Sequence, residues 1–204
     1  MSKINWISIF QRNQESNLPG NIKVETVGPP FKTNQVKIAQ DGEILVKGEN
    51  VMLGYWNKEK ETNETIKNGW LHTGDIGEFD NNGYLKITDR KKDIIVNLGG
   101  DNISPTKVEN HFCNHELIKQ CLVYGDKKNY LVALIVVETK DKDNSTIGSI
   151  IENLNKDLTL IEKIKKFILI EEEFTIENGL MTPTLKLKRK KIIEKYQQEL
   201  EKLY

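Results

Sequence analysis

A chain of 204 residues has room for one large domain or two small ones. Thirty basic side chains cancel thirty acidic ones, so the overall field singles out neither nucleic acid nor an anionic membrane as an obligatory partner. The two cysteines, Cys113 and Cys121, form no CxxC pair and the N-terminus lacks the apolar core of a signal peptide, which reads as a cytoplasmic chain, while the longest apolar run, Leu131–Val137, is far shorter than the ~20 residues that span a bilayer.

In chain order, residues 1–21 show no apolar period and are expected to be irregular. "QVKIAQDGEILVKG" (35–48) alternates apolar and polar residues on both sides of Asp41-Gly42, a pair that supplies the positive φ angles of a two-residue hairpin turn. A second hairpin is predicted at "GEFDNNGYLKI" (77–87), with Asn82-Gly83 at the turn and Phe79, Leu85 and Ile87 on the buried side. Residues 22–91 thus read as a small, mostly antiparallel β subdomain. The pattern breaks at "TDRKKD" (88–93), where charged and polar residues separate two apolar patterns as a linker would. "DIIVNLGGDNIS" (93–104) predicts a third hairpin, and the bare Gly99-Gly100 tip lets a ligand come close to the backbone. Ser104 and Pro105 are the N-cap and first residue of a helix. The apolar runs "CLVYGD" and "YLVALIVVE" predict strands, and "TKDKDNST" (139–146) a solvated loop. A helix carrying Ile147, Ile150, Ile151 and Leu154 on one face follows, then a strand at "KFILIEE" and a terminal helix faced by Ile192, Ile193, Tyr196, Leu200 and Leu203. Residues 92–204 therefore read as a compact α+β lobe, and the whole chain as α+β.

Few residues carry chemistry by type and place. Asp75 follows a Thr-Gly turn; its carboxylate offers two acceptors to a pair of neighbouring hydroxyls such as those of a ribose, or it caps its own turn. Arg90, in the predicted linker, is a rigid fork of donors for phosphate or sugar hydroxyls, or a surface cation. "KLKRKK" (186–191) has five basic residues in six. Such a run suits nucleic acid, a solvated helix start, or a single lysine, Lys186, reaching a phosphate from the irregular segment before the last helix. No aromatic side chains interleave with it as stacking platforms, which speaks against nucleic acid. His72, His111 and His115 have no partner at metal-ligand spacing, and no phosphate-cradling GxxxxGK[ST] or GxGxxG is present.

Taken together, "NGWLHTGDIGEFDNNGYLKITDRKK" (68–92) resembles the signature DGWLHTGDIGxWxPxGxLKIIDRKK of adenylate-forming enzymes, and within them of the long-chain acyl-CoA synthetases. It departs from that signature at Asn68, Phe79, Asn81 and Thr88. The resemblance runs over residues 20–204 and implies a β-rich end of an AMP-binding domain followed by the family's C-terminal α+β lid domain. It implies that Asp75 and Arg90 hold the ribose of ATP and of an acyl-adenylate, that Lys92 is the hinge of the lid, and that Gly99 and Gly100 line the passage of CoA. "LMTPTLKLKRKKIIEKY" resembles the family's last motif and places its catalytic lysine at Lys186, preceded by Leu185 where the family has Gly or Leu.

The resemblance further implies fatty acid, ATP with Mg2+ and CoA as substrates, with no prosthetic group, and it is compatible with peripheral membrane association. It corresponds to the last third of such an enzyme. The phosphate loop and fatty-acid tunnel would precede residue 1, so the chain is expected to be inactive alone and either to act with an N-terminal part on another chain or to be cut from a longer gene. The alternative is a non-catalytic remnant or binding module that keeps the fold.

Overall fold

The computed structural model describes residues 23–24, 26–138 and 144–204. The segment expected to be irregular, 1–21, and most of the loop expected at 139–146 lie outside the described residues. The chain divides into two compact units, the first ending at Lys92 and the second running Asp93–Tyr204.

The first unit is a five-stranded antiparallel sheet built from β1 (Asn34–Ile38), β2 (Glu43–Gly48), β3 (Ile66–Lys67), β4 (Trp70–Phe79) and β5 (Leu85–Arg90), with one short helix, α1 (Glu59–Thr65), leading into β3. The ten-residue β4 organises it. One edge of β4 takes β2; the other is shared, β3 pairing with Trp70 and Leu71 and β5 with residues 75–79. Ile44, Val46 and Leu85 are fully buried and form the centre of a small core, flanked by Val27, Val36, Ile38, Val51 and Ile87.

Both predicted hairpins form, but with three-residue turns instead of two. Ala39 donates to Glu43 O and Gly42 donates to Ala39 O; Asp80 and Gly83 repeat this pattern with Tyr84. Only the last turn residue has positive φ, +83° at Gly42 and +78° at Gly83. That is a type I turn closed by a left-handed glycine, which needs one special residue instead of two. Phe79 is not buried: it is 37% exposed, three residues beyond Ile76, the last β4 residue that β2 covers. The linker is also shorter than expected, because Thr88, Asp89 and Arg90 belong to β5 and only the 3-10 turn Lys91–Asp93 follows.

In the second unit, β6 (Ile95–Val96) and β7 (Asn102–Ile103) form the third hairpin, and α2 (Pro105–Cys113) begins as predicted, with Ser104 Oγ accepting from the Lys107 N–H at 3.1 Å. Strands β8 (Ile118–Tyr124), β9 (Leu131–Val137) and β10 (Ile164–Ile170) make a sheet in the order β10-β9-β8. β8 and β9 are antiparallel, whereas β9 and β10 are parallel and are joined through α3 (Asn144–Leu154), as a parallel pair requires a crossover. All seven residues of β9 are buried. Ala133, Ile135 and Val137 face Val108 and Phe112 of α2 and Ile147 and Ile151 of α3. The alternate residues, Val132, Leu134 and Val136, face Phe174, Leu180, Ile192 and Leu200. A central strand covered on both faces explains an unbroken apolar run. The terminal helix is in two pieces, α4 (Arg189–Lys195) and α5 (Gln197–Glu201), broken where Tyr196 takes φ −107° and ψ 20°, yet the predicted apolar face stays together in one cluster.

Candidate active site

Asp75, expected after a Thr-Gly turn, lies inside β4. Between the pairs Leu45↔His72 and Glu43↔Ile76, β2 advances two residues while β4 advances four, so Thr73, Gly74 and Asp75 form a bulge. Bulges re-aim side chains and favour a glycine in the left-handed region; Gly74 has φ +73°. Thr73 braces the bend, its hydroxyl donating to Ile44 O at 2.7 Å and accepting the Asp75 N–H at 3.1 Å. On the other side of β4, Asp75 is register partner to Arg90, the last residue of β5. Arg90 Nε meets Asp75 Oδ1 at 2.8 Å, with the carboxylate 3% exposed and the guanidinium side chain 53% exposed. Two residues fifteen apart in the chain are thus one ion pair, open on the arginine side.

A third carboxylate underlies the bulge. Glu43, at the start of β2, accepts the Gly74 N–H at 2.9 Å and the Lys91 ammonium at 2.8 Å, and lies 2.9 Å from His72 Nδ1. Burial pushes its pKa up, but the donors Lys91, His72 and Gly74 outweigh burial and hold it below the ordinary carboxylate value. Lys91 in turn is raised by its contacts with Asp41 and Glu43. Lys92, the predicted hinge, is the next residue, exposed and at the unit boundary.

In the second unit, Gly99 and Gly100 form the exposed tip of the β6–β7 hairpin. Gly100 has φ +85° and donates to Asn97 O at 3.0 Å. The hairpin is held by the loop after β8: Leu98 donates to Lys128 O, Lys127 to Val96 O, and Val96 to Asp126 Oδ1. Lys186 is on a different hairpin, closed by the Met181–Leu187 bridge. Thr182 donates to Lys186 O at 2.8 Å, and Lys186 donates to Thr182 Oγ1 at 3.0 Å. The Lys186 side chain is exposed.

The basic run that contains Lys186 separates by surroundings. Lys190 and Lys191 are exposed on the first turn of α4. Arg189 turns inward; its Nη2 donates to both Glu109 oxygens at 2.6 Å and its Nη1 to Val123 O at 2.8 Å, while Glu109 Oε1 accepts the Val123 N–H at 2.7 Å. This buried pair ties the start of α4, three residues after Lys186, to α2 and β8. Sequence reasoning missed Glu43, Glu109 and Arg189, since nothing in their spacing marks a charge that packs inward. Of the predicted residues, Asp75 and Arg90 are brought together. Gly99, Gly100 and Lys186 belong to the second unit, on two hairpins. Among the described residues no three His, Cys, Asp or Glu side chains gather to hold a metal ion, and no helix is long and apolar enough to cross a membrane.

A two-unit chain of this build, with an antiparallel sheet that carries an aspartate–arginine pair and an α+β lobe that carries a lysine hairpin, has the fold of the C-terminal part of adenylate-forming enzymes. Solved structures of that shape include the A-PCP didomain of the carboxylic acid reductase of Segniliparus rugosus in complex with AMP, with a TM-score of 0.74 at 25% identity over 86% of this chain and 28% of that one. Another is the O-succinylbenzoate coenzyme A synthetase MenE of Bacillus subtilis in complex with AMP, with a TM-score of 0.66 at 31% identity over 82% of this chain and 35% of that one. Residues 92–204 match the AMP-binding enzyme C-terminal domain, and the chain belongs to that family. Its relatives include the long-chain-fatty-acid–CoA ligase FadD15 of Mycobacterium tuberculosis, 38% identical over 207 residues that cover 90% of this chain and 34% of that protein. Long-chain-fatty-acid–CoA ligase 5 of Mus musculus is 34% identical over 222 residues, covering 91% of this chain and 32% of that protein. The chain spans about a third of the length of these relatives.

Proposed function

We propose that this chain is the C-terminal part of an ATP-dependent, AMP-forming long-chain fatty acid:CoA ligase and works in the cytoplasm with an N-terminal part that carries the phosphate loop and the fatty-acid tunnel. The observation that carries the reading is the buried Asp75 carboxylate facing the half-exposed Arg90 guanidinium at 2.8 Å on adjacent strands. A carboxylate with two acceptor oxygens beside a fixed fork of donors matches the vicinal hydroxyls of a ribose. Leu53 and Trp56, at 102% and 90% exposure, suit a first unit that continues into a larger domain.

Attack of the fatty-acid carboxylate on the α-phosphorus of ATP builds negative charge on the phosphoryl oxygens and releases pyrophosphate. Lys186, presented on a hairpin whose backbone is closed on Thr182, is the ammonium that stabilises this charge, in a site that excludes water. The acyl-adenylate is then attacked by the thiol of CoA, forming the thioester and releasing AMP. For that step the second unit turns about Lys92, withdraws Lys186 and brings the Gly99-Gly100 tip to the pantetheine arm. Mg2+ enters with ATP as part of the substrate.

The test is to co-express the chain with the N-terminal part of the Mycobacterium tuberculosis relative and to assay the half-reactions separately. Fatty-acid-dependent ATP–pyrophosphate exchange is expected from the pair and not from the chain alone. Lys186→Ala is expected to lower exchange about 100-fold or more, as loss of a transition-state cation does, while thioester formation from pre-made acyl-adenylate is spared. Asp75→Ala is expected to impair both steps. Equal losses in the two steps from Lys186→Ala would overturn the assignment of the lysine.

A further inference from the structure

Glu43 has no part in the chemistry above, yet two separate pieces of the first unit, β4 and the turn after β5, converge on its carboxylate, which is only 4% exposed. Oε1 accepts from Gly74, the centre of the bulge that carries Asp75. Oε2 accepts from Lys91 and lies beside His72 Nδ1, which donates to it when the carboxylate is ionised. Lys91 also meets Asp41 at 2.7 Å, so the last residue before Lys92 is held by two carboxylates from the first hairpin. A charge is tolerated inside a protein only when it is paired and hydrogen-bonded. Here two partners of that charge, Gly74 and Lys91, adjoin the ribose carboxylate and the hinge, and the third, His72, stands at the start of the bulge that carries Asp75.

We infer that Glu43 is a positioning residue that holds both ends of this arrangement: it fixes the bend at Gly74 that sets Asp75, and through Lys91 it clamps the chain to β2 so that swivelling begins at Lys92. Without the clamp, rotation would spread back into the end of β5 and move Arg90 away from Asp75. The inference rests on the ribose and hinge roles proposed above, but the clamp itself is measurable with no ligand present.

The experiment uses the full 204-residue chain. Brief trypsin digestion under native conditions, read by mass spectrometry, compares cutting after Lys91 with cutting after Lys92. Hydrogen exchange at the Gly74 amide is followed by NMR. Trypsin must seat the ammonium of the cleaved lysine in its own pocket, so Lys91, whose ammonium is held by Asp41 and Glu43, is expected to be protected and Lys92 to be cut. Glu43→Gln keeps an oxygen acceptor for Gly74 but loses the ion pair. Cutting after Lys91 should rise about fivefold relative to Lys92, while Gly74 exchange stays within about threefold of the parent chain. Glu43→Ala should release both, with Gly74 exchange about tenfold faster. Asp41→Asn should raise cutting after Lys91 and leave Gly74 unchanged. Recovery of Gly74 protection by glutamine, with Lys91 still released, is a split that general destabilisation does not produce.

An unchanged ratio of cutting at Lys91 and Lys92 in Glu43→Gln overturns the clamp. So does Gly74 exchange that rises equally in Glu43→Gln and Asp41→Asn, in step with their melting temperatures. These two variants decide the matter even if Glu43→Ala does not fold. Either failure leaves the ribose reading standing, because that depends on the separate half-reaction assay.

Discussion

Leu185, next to the catalytic candidate, holds φ +57° and is 69% exposed. A left-handed backbone costs a non-glycine residue roughly 1–2 kcal/mol, and the exposed leucine makes little contact to offset it. The conformation is imposed by the hairpin: Leu185 donates to Thr182 O at 2.9 Å, and this turn aims Lys186 outward. Leu185→Gly removes the strain and adds freedom to the unfolded chain of about 0.5–1 kcal/mol. The expected result is a stability equal to the parent or up to about 1 kcal/mol higher, measured by urea unfolding. A loss of more than about 1 kcal/mol would show that the leucine side chain has a packing role.

At the level of elements, the lysine hairpin depends on what anchors the start of α4. Arg189 and Glu109 share two contacts of 2.6 Å, with side-chain exposures of 18% and 11%. Removing one partner of such a pair leaves the other charge buried, which costs about 3–5 kcal/mol in fully buried cases and toward the low end here. Arg189→Ala is therefore expected to destabilise the second unit by about 3 kcal/mol, whereas the double change Arg189→Met with Glu109→Gln should cost clearly less. Lys190→Ala, which removes a 91% exposed side chain 3.9 Å from Glu194, should change stability by less than about 0.5 kcal/mol. Calorimetry of the three variants separates the buried cation from the solvated one. The same element-level logic explains the β4 bulge, where Thr73, Gly74 and Glu43 each satisfy a backbone or side-chain group that a regular ladder would leave unpaired.

For the whole molecule, the two units carry separate cores of unequal size. Ile44, Val46 and Leu85 anchor the first, whereas the second buries both faces of a three-stranded sheet. Apolar burial sets most of the stability, so the first unit should melt at the lower temperature in a two-step calorimetric scan. Residues 93–204 expressed alone should reproduce the upper transition to within a few degrees; a fragment that is unfolded would refute independent folding.

The lower transition should also depend on pH through the Glu43–Lys91 pair. Because the Glu43 pKa in the folded state lies below its ordinary value of 4.5, its contribution is complete above that pH and lost as acid protonates it. Lys91 is raised above its ordinary 10.5, so its contribution is complete below that pH and lost in stronger alkali. The lower melting temperature should be flat from about pH 5.5 to 9.5 and fall below about pH 4.5, and Glu43→Gln should make the acid limb shallower, leaving the part due to Asp41 and Asp80, which Lys91 and Lys23 hold below the ordinary carboxylate value.

The sequence by itself determined the α+β class, the three hairpins and the capped start of α2, because turn glycines, capping residues and strict apolar periods are local properties. A run of twenty-five residues with its acid, arginine and glycines in place was enough to identify the family. Tertiary structure alone decided that Asp75 stands in a bulge opposite Arg90, that β9 pairs parallel to β10, and which charges turn inward. Glu43, Glu109 and Arg189 look like any surface residue in the string. Their burial follows from partners 31, 14 and 80 positions away, Gly74, Val123 and Glu109, and a charge packs inward only where the fold has already brought such partners to it.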